Sequence, residues 1–284
     1  MEWIEQLNKA IDYIEIHLLD EIDYNQLGKI TGCPAYNFQK IFSYISGFSI
    51  SEYVRRRRLS LAAVDLQNSE SKVIDIALKY GYTSPTAFNR AFQSLHKIAP
   101  SQVKECGIPL KSILPISFKM TIKGVEEMNY RIEKKEEIRI IGIAQPLSKD
   151  IEENFKIVPK MWHKAGIDGT LYKLAEMMNS HPMGILGVSV YKTKESLSYF
   201  IGVASTKQID DTFEEYIIPA STWAVFSNKG TQESIQDLER RIWTEWLPNS
   251  GYEYVENISD IEVYLNSDPQ NARYEVWVPV RKKA

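Results

Sequence analysis

The sequence has few of the residues that build disulfide frameworks and metal sites. Its 284 residues include two cysteines, Cys33 and Cys106, and four histidines. Two cysteines cannot form a disulfide framework, and such scarcity is typical of the reducing cytosol. The histidines, at positions 17, 96, 163 and 181, show no metal-ligand spacing with one another or with the cysteines. We therefore expect no metal site and no cofactor.

Long apolar runs are also missing. No stretch approaches the roughly 18 apolar residues of a membrane span, and the first five residues lack the basic and apolar segments of a secretory signal. We therefore expect a cytoplasmic protein without membrane contact. The hydrophobic fraction of 44% and the charged fraction of 25% are those of ordinary globular proteins. A chain of this length suits one or two domains.

The chain also lacks a strong net charge, but its charged residues are unevenly distributed along the sequence. The formal net charge is −3. Residues 22–104 nevertheless carry eleven basic and five acidic side chains, a net charge of +6. A basic segment of this size is an electrostatic hint of an anionic partner.

The first hundred residues contain an internal repeat. Phe38 and Phe42 in the first copy correspond to Phe88 and Phe92 in the second, at an offset of 50. Such self-similarity indicates that one supersecondary unit is used twice.

Each copy has the signals of a helix-turn-helix. A short amphipathic run ends at Gly32 or Gly81, where a tight turn needs a positive φ, and a second helix then begins at Pro34 or Ser84. The outer face of that second helix carries side chains that hydrogen-bond base edges in a major groove. One such face is common on surface helices, whereas two copies favour nucleic-acid binding.

Residues 49–66 predict a long helix between the two copies. Its 18 to 20 residues would span about 30 Å, close to the roughly 34 Å between successive major-groove faces on one side of DNA. The helix could therefore hold two recognition helices, here called reading helices, in major grooves one turn of DNA apart. Its run of four arginines surrounds the helix axis, so at least one must face the protein, and we expect Arg58 to form an internal ion pair.

Residues 5–105 resemble the DNA-binding domain of AraC/XylS-type transcription regulators. The resemblance lies in "RRRRLSLAAVDL", "IDIALKYGYTSPTAFNRAF" and "KIAPSQVK". It implies an all-α double helix-turn-helix that places two helices in adjacent major grooves of double-stranded DNA. We expect an activator with RNA polymerase as a partner, although the sequence leaves activator versus repressor open. Most members carry this domain last, whereas here it comes first. The candidate DNA-binding residues are Ala35, Tyr36, Asn37, Gln39 and Lys40 in the first copy and Ser84, Thr86, Asn89, Arg90 and Gln93 in the second.

The rest of the chain predicts a linker and a second duplicated unit. We expect a DNA-binding domain at 1–108, a linker or connecting strand at 109–128, and an α+β domain at 129–284. The α+β domain is predicted to contain the order strand, helix, strand, strand two times in succession. This prediction follows from β-branched and aromatic runs that alternate with amphipathic ones. The expected elements are 130–144, 155–164, 184–191 and 199–205 in the first half and 216–227, 235–247, 258–265 and 274–280 in the second.

This second part holds five of the six tryptophans, more than a core of its size needs. Each one alone is more often a core residue, but together with several tyrosines they indicate an aromatic-walled pocket. Glu262 lies in a strand pattern that places it beside Tyr264. A carboxylate among aromatic rings needs an arginine partner or a cationic ligand. Glu275 is the rival acid and would share the face of Trp277.

Residues 129–284 resemble gyrase-inhibitor-like effector-binding domains. The resemblance lies in "NYRIEKKEEIRIIGI", "WTEWLPNSGYE", "IEVY" and "YEVWVPV". It implies a pocket for a small lipophilic cation, with the glutamate of "IEVY" at its base. The candidate ligand-binding residues are Glu262, Tyr264, Trp277, Trp223, Trp162 and Tyr199.

The favoured hypothesis is therefore a non-enzymatic, ligand-responsive transcription regulator. Its expected fold class is multidomain, with an all-α domain followed by an α+β domain. Two alternatives stay open for the second domain: a hydrolase with Glu262 as general base, or a module that sequesters a protein partner. A weaker alternative makes Cys33 or Cys106 a methyl acceptor, although neither has an activating neighbour in the sequence.

Overall fold

The computed structural model describes residues 2–104, 108–118, 127–148, 150–193, 196–209, 211–255, 258–266, 268 and 271–283. Cys106 and residues 119–126 of the predicted linker lie outside the described residues.

The first helix-turn-helix unit consists of helices α1 (Glu2–Ile16), α2 (Tyr24–Thr31) and α3 (Ala35–Ser46). The Asp23 side chain caps α2 by accepting backbone hydrogen bonds from the second and third residues after it. Gly32 ends the helix with a φ of 65°, a left-handed conformation that glycine adopts without strain. The turn predicted from the sequence is therefore present, with α3 starting directly after Pro34.

The second unit repeats this arrangement behind a long helix. It consists of α4 (Ile50–Asn68), α5 (Val73–Lys79), α6 (Pro85–His96) and a 3-10 turn (Pro100–Gln102). Gly81 has a φ of 84°, and the Ser84 hydroxyl caps α6 by accepting from the backbone of Ala87. The 19 residues of α4 correspond to a length of about 28 Å, as the sequence predicts.

The buried arginine of α4 is Arg57 rather than the predicted Arg58. The Arg57 guanidinium forms a forked ion pair with Glu15 of α1, with Nη2 at 2.6 Å from Oε2. Arg58 instead donates to the backbone carbonyls of Leu18 and Asp20. The four-arginine run alone could not fix which residue faces α1, because that depends on how the two helices cross.

The C-terminal half is an antiparallel sheet with helices packed on it. Its strands are β1 (Tyr130–Lys135), β2 (Ile138–Pro146), β3 (Ile185–Thr193), β4 (Ser196–Ala204), β5 (Glu214–Ile218), β6 (Ser221–Gly230), β7 (Tyr252–Tyr254), β8 (Ile261–Tyr264) and β9 (Ala272–Lys282). Its helices are α7 (Ile151–Ile167), α8 (Thr170–Met177), α9 (Gln232–Arg241), a π-helical turn (Ile242–Trp246) and α10 (Leu247–Asn249).

The strand order in the described sheet is β1-β6-β9-β8-β3-β4-β2-β5, with β7 paired to β9. The predicted α-then-α+β architecture and the duplicated pattern are confirmed. The two long strands expected at 130–144 and 216–227 are each divided, into β1 and β2 and into β5 and β6. Helix α8 and strand β7 were not predicted.

The first helix-turn-helix unit and the C-terminal half share one apolar core. Buried side chains of α1 and α3 belong to the same cluster as those of α9 and β9, whereas the second unit has a core of its own. Trp3 of α1 contacts Trp243 of the π-helical turn, with ring centroids 5.5 Å apart. Helix α3 also packs against α7 and α9.

Within the described residues, no helix is long and apolar enough to cross a membrane.

Candidate functional site

A cavity of about 1160 Å³ lies where the first helix-turn-helix unit meets the C-terminal half. Helix α3 forms one wall, α7 and α8 another, and the floor is formed by α9 and by strands β3, β4 and β8. Because these elements come from the first helix-turn-helix unit and from the C-terminal half, both parts of the chain build the cavity. Its volume is slightly above the range typical of small-molecule sites, about 300 to 1,000 Å³.

Glu262 reaches this cavity because strand β8 alternates its side chains between two faces. Ile261 and Val263 are fully buried on one face, whereas Glu262 and Tyr264 point into the cavity on the other. Strand β8 pairs with β3 on one side and with β9 on the other, so its backbone is fixed by two ladders. The predicted position of Glu262 beside Tyr264 is thus present.

Aromatic side chains surround the Glu262 carboxylate. The Tyr264 hydroxyl donates to its Oε2 at 3.0 Å, and the Tyr199 hydroxyl reaches the same oxygen at 3.5 Å. Trp162 of α7 donates from Nε1 to the Tyr199 hydroxyl at 3.1 Å, and its ring contacts that of Tyr264 with centroids 4.9 Å apart. The structure therefore brings together Glu262, Tyr264, Trp162 and Tyr199.

A second carboxylate, Glu239 of α9, completes an acidic pair. Lys40 of α3 places its Nζ 2.7 Å from Glu239 Oε1 and 3.0 Å from Glu262 Oε1. The Glu239 side chain is 4% exposed. Burial raises its pKa to about 7, although the Lys40 ammonium opposes the shift. Burial alone would lower the pKa of Lys40, but the neighbouring Glu239, Tyr44 and Glu262 together more than offset this and hold the pKa well above its ordinary value.

Glu239 is not among the site residues predicted from the sequence. It lies four residues after Ile235 and three before Ile242, both buried, and therefore on the apolar stripe of α9. A glutamate on an apolar helical stripe was the available signal.

Trp223 and Trp277 do not line the cavity, so their predicted placement as pocket walls is wrong. The register pairs Ile261 with Trp277 and Glu262 with Val276, and directly paired residues share a face. Trp277 therefore faces away from Glu262, and it packs against Trp223 on the opposite face with ring centroids 6.1 Å apart. Both side chains are core residues there.

The rival acid Glu275 lies on that opposite face as well. It accepts from Trp277 Nε1 at 2.8 Å and forms a forked ion pair with Arg131, at 2.8 and 2.9 Å. This ion pair with the hydrogen bond from Trp277 lowers the pKa of Glu275 despite the burial that would raise it. Glu275 is thus held by its neighbours outside the cavity.

The first set of predicted DNA-binding residues is covered by the C-terminal half. Tyr36, Asn37 and Gln39 are buried, and Asn37 donates from Nδ2 to the Tyr254 hydroxyl at 2.9 Å. Ala35 is half-buried, and Lys40 is held by the acidic pair. In this arrangement the C-terminal half covers the face of α3 that would contact DNA, and the role of these residues in DNA binding stays a prediction.

The second set lies open. Ser84, Thr86, Asn89, Arg90 and Gln93 are all exposed along α6. Asn89 accepts a hydrogen bond from Gln93 at 3.3 Å, a contact that can be exchanged for a base or a phosphate. The two repeats therefore differ in accessibility although their sequences predict the same face.

The chain thus consists of two helix-turn-helix units followed by a sheet domain, with an acidic, aromatic cavity where they meet. Residues 128–281 match the family described as GyrI-like small molecule binding domain, and residues 27–105 match a helix-turn-helix domain family. The chain belongs to the GyrI-like family and combines its small-molecule binding domain with an AraC-type helix-turn-helix domain.

Relatives share either the whole chain or only the first part. The right origin-binding protein of Escherichia coli is 22% identical over 95% of this chain and 96% of its own length. The HTH-type transcriptional activator AarP of Providencia stuartii is 34% identical over 34% of this chain and 70% of AarP. The uncharacterized HTH-type transcriptional regulator YbfP of Bacillus subtilis is 33% identical over 35% of this chain. The matched segment covers 34% of the length of YbfP.

Among solved structures, a bacterial transcription regulation protein from Staphylococcus aureus MU50 covers 55% of this chain and 99% of its own, at 19% identity and a TM-score of 0.46.

Proposed function

We propose that this protein is a transcription activator that binds DNA through its helix-turn-helix units and senses a small lipophilic cation in the cavity between its two halves. The proposal includes RNA polymerase as a partner and the cytoplasm as its location. It divides the chain into a DNA-binding domain at 1–108 and an effector-binding domain at 129–284, joined by 109–128. The acidic pair in an aromatic cavity is the single observation that supports the ligand class most.

Charge and chemistry favour a cation over an anion. Among the described residues, Glu239 and Glu262 are in ion-pair contact with one ammonium, that of Lys40, so the cluster carries an excess negative charge when both acids are ionised. The rings of Trp162, Tyr199 and Tyr264 offer faces that attract cations. A cavity with apolar walls and carboxylates at its floor suits a ligand with a hydrophobic body and a positive centre.

The DNA-binding part of the proposal is supported by the open face of α6 and by the relatives. The described regulators include one named as a transcriptional activator and one named as an origin-binding protein. We expect binding to duplex DNA to weaken steeply with salt, because phosphate contacts release counterions.

Ligand binding is tested by titrating the full chain with tetraphenylphosphonium and following tryptophan fluorescence. Saturable quenching is expected, because Trp162 lies in the cavity wall. Triphenylphosphine oxide is the neutral control with similar aromatic bulk and should bind more weakly. Absence of saturable quenching by tetraphenylphosphonium and other lipophilic cations would contradict the sensing proposal.

DNA binding is tested by in vitro selection of duplexes with the full chain, followed by footprinting. We expect protection of two segments about one helical turn apart. A footprint also separates this proposal from a module that only sequesters a protein partner. Mass spectrometry of the cation after incubation separates a sensor, which returns it unchanged, from a hydrolase, which does not.

A further inference from the structure

Lys40 joins the first reading helix directly to the effector cavity. It lies on α3, and its ammonium contacts both Glu239 and Glu262. In the part of the chain that the structure describes, it is the cation found in ion-pair contact with these two carboxylates. Its Nζ also lies 5.8 Å from the centre of the Tyr44 ring. A positive centre held by carboxylates beside an aromatic face is the arrangement that a lipophilic cation would itself adopt.

The acidic pair retains capacity for a further or stronger cation. Glu239 Oε2 is buried and has no hydrogen-bond partner among the described residues. A buried carboxylate oxygen without a partner costs free energy, so a cation that contacts both carboxylates gains more than Lys40 alone provides. The cavity beside Lys40 extends along α7 and α8, where an apolar ligand body can be accommodated.

The same contact holds α3 against the C-terminal half. Tyr36, Asn37 and Gln39 share this buried surface, and the Tyr44 ring stacks on Phe155 of α7 with centroids 6.4 Å apart. A helix whose outer face is covered in this way cannot enter a major groove, which must accommodate that face. The structure therefore presents α6 for DNA and withholds α3.

We propose that Lys40 is a tethered internal ligand of the effector site and that an entering cation displaces it, which releases α3 for DNA. The inference rests on the proposed function and adds Glu239 and Lys40 to its machinery. Without effector, the closed arrangement leaves only α6 available for DNA. With effector bound, both reading helices are available, and because effector and DNA favour the same open arrangement, each strengthens binding of the other.

The exchange is balanced in charge. The effector replaces the Lys40 ammonium on the carboxylates, so neither acid is left buried and unpaired, and the lysine regains its hydration. Apolar contacts such as Trp3 with Trp243 oppose the opening. They keep the closed arrangement dominant in the absence of effector, which a switch of this kind requires.

Hydrogen–deuterium exchange on the full chain, with and without tetraphenylphosphonium, tests this inference. At saturation, the amides of α3 should exchange about tenfold faster, a change within the usual range of allosteric coupling, while those of α6 keep their rate. Saturable binding of tetraphenylphosphonium with unchanged or slower exchange in α3 would overturn the displacement and leave the sensing proposal intact. Absence of binding would instead contradict the proposed function.

Lys40→Met provides an independent test on binding itself. Removal of the competing ammonium should tighten tetraphenylphosphonium binding by about tenfold, whereas Lys40→Arg should remain close to the unmodified chain. Lys29→Met is the matched control, because Lys29 is exposed on α2 of the same unit. Equal or weaker binding by a Lys40→Met protein with unchanged circular dichroism would refute the role of Lys40 as internal ligand. If that variant does not fold, the exchange experiment on the unmodified chain still decides.

Discussion

Asn37 of α3 donates from its side-chain amide to the hydroxyl of Tyr254 at 2.9 Å, and that hydroxyl donates to the carbonyl of Ile258 at 2.5 Å. A side chain predicted to contact bases thus takes part in a buried hydrogen-bond chain within the protein. The hydrogen bond between Asn37 and Tyr254 must be given up before α3 can reach DNA, whereas the one between Tyr254 and Ile258 lies within the C-terminal half.

Tyr254→Phe should therefore favour the open arrangement. Without the hydroxyl, the Asn37 amide stays buried without this partner in the closed arrangement, at a cost of about 1 to 3 kcal/mol. We expect about 5- to 150-fold tighter binding to a selected duplex without effector, measured by fluorescence anisotropy. Tyr252→Phe, in the same strand, is the control. Equal affinity of the two variants would show that this hydrogen bond does not hold α3.

Arg90→Ala tests base reading by the exposed helix α6. If Arg90 contacts a base, the variant should lose about 1 to 3 kcal/mol of binding free energy on the selected duplex and little on random DNA. Titrations against both duplexes at fixed salt provide the comparison. Equal losses on the two duplexes would assign Arg90 to the phosphate backbone instead.

Glu262→Gln tests the cation site with almost no change in volume. Loss of the charge should weaken tetraphenylphosphonium binding by about tenfold or more, because a partly buried carboxylate beside aromatic rings contributes strongly to holding a cation. Binding of triphenylphosphine oxide should change little. Isothermal titration calorimetry measures both. Glu275→Gln, on the opposite face of the sheet, should leave both affinities unchanged, and a similar loss in this variant would argue against the assignment of Glu262.

The sequence predicts the helix-turn-helix repeat well because its signals are local. Glycines with positive φ and the Ser84 cap fix where α2, α5 and α6 end or begin. The burial of Asn37 has no local signal. Its partner Tyr254 lies 217 residues further along the chain, and a polar helix face looks the same in sequence whether it covers DNA or another part of the protein.

The pocket was predicted in part for a related reason. Alternation within β8 correctly places Glu262 beside Tyr264, since both belong to one strand. Whether Trp277 shares their face depends on the register between β8 and β9, and a shift of one residue would reverse the answer. Sequence patterns specify faces within a strand more reliably than between strands.

Gly187→Ala should disturb the aromatic wall of the cavity. A Cβ at position 187 would lie 2.2 Å from the Tyr199 hydroxyl and 3.3 Å from Glu262 Oε2. The tyrosine must move, which breaks its hydrogen bond with Trp162, so we expect about 1 to 3 kcal/mol of destabilisation and weaker tetraphenylphosphonium binding. Thermal unfolding and fluorescence titration measure the two effects. Gly166→Ala is the control, because no atom lies within 4 Å of its added Cβ.

The pKa of Glu239 predicts how stability depends on pH. Burial raises this pKa from 4.5 to about 7, and that of Asp260 from 3.8 to about 6. Because these pKa values are higher in the folded chain, the folded protein binds more protons than the unfolded one between pH 4.5 and 7. These two acids therefore make the free energy of unfolding fall as pH rises through this window.

Lys40 and Tyr44, which lie beside Glu239, keep one charge state over this range, whereas Asp260 titrates within it. The pKa of Lys40 lies well above its ordinary value because Glu239, Tyr44 and Glu262 together outweigh the effect of burial. Burial raises the pKa of Tyr44 well above its ordinary value as well. Glu239→Gln should therefore flatten the pH dependence of the unfolding free energy, by on the order of 2 kcal/mol between pH 5 and pH 8. Urea unfolding across this range measures it, with Glu245→Gln, a more exposed acid of the adjoining turn, as control. An unchanged slope in Glu239→Gln would show that Glu239 is ionised throughout, held so by Lys40.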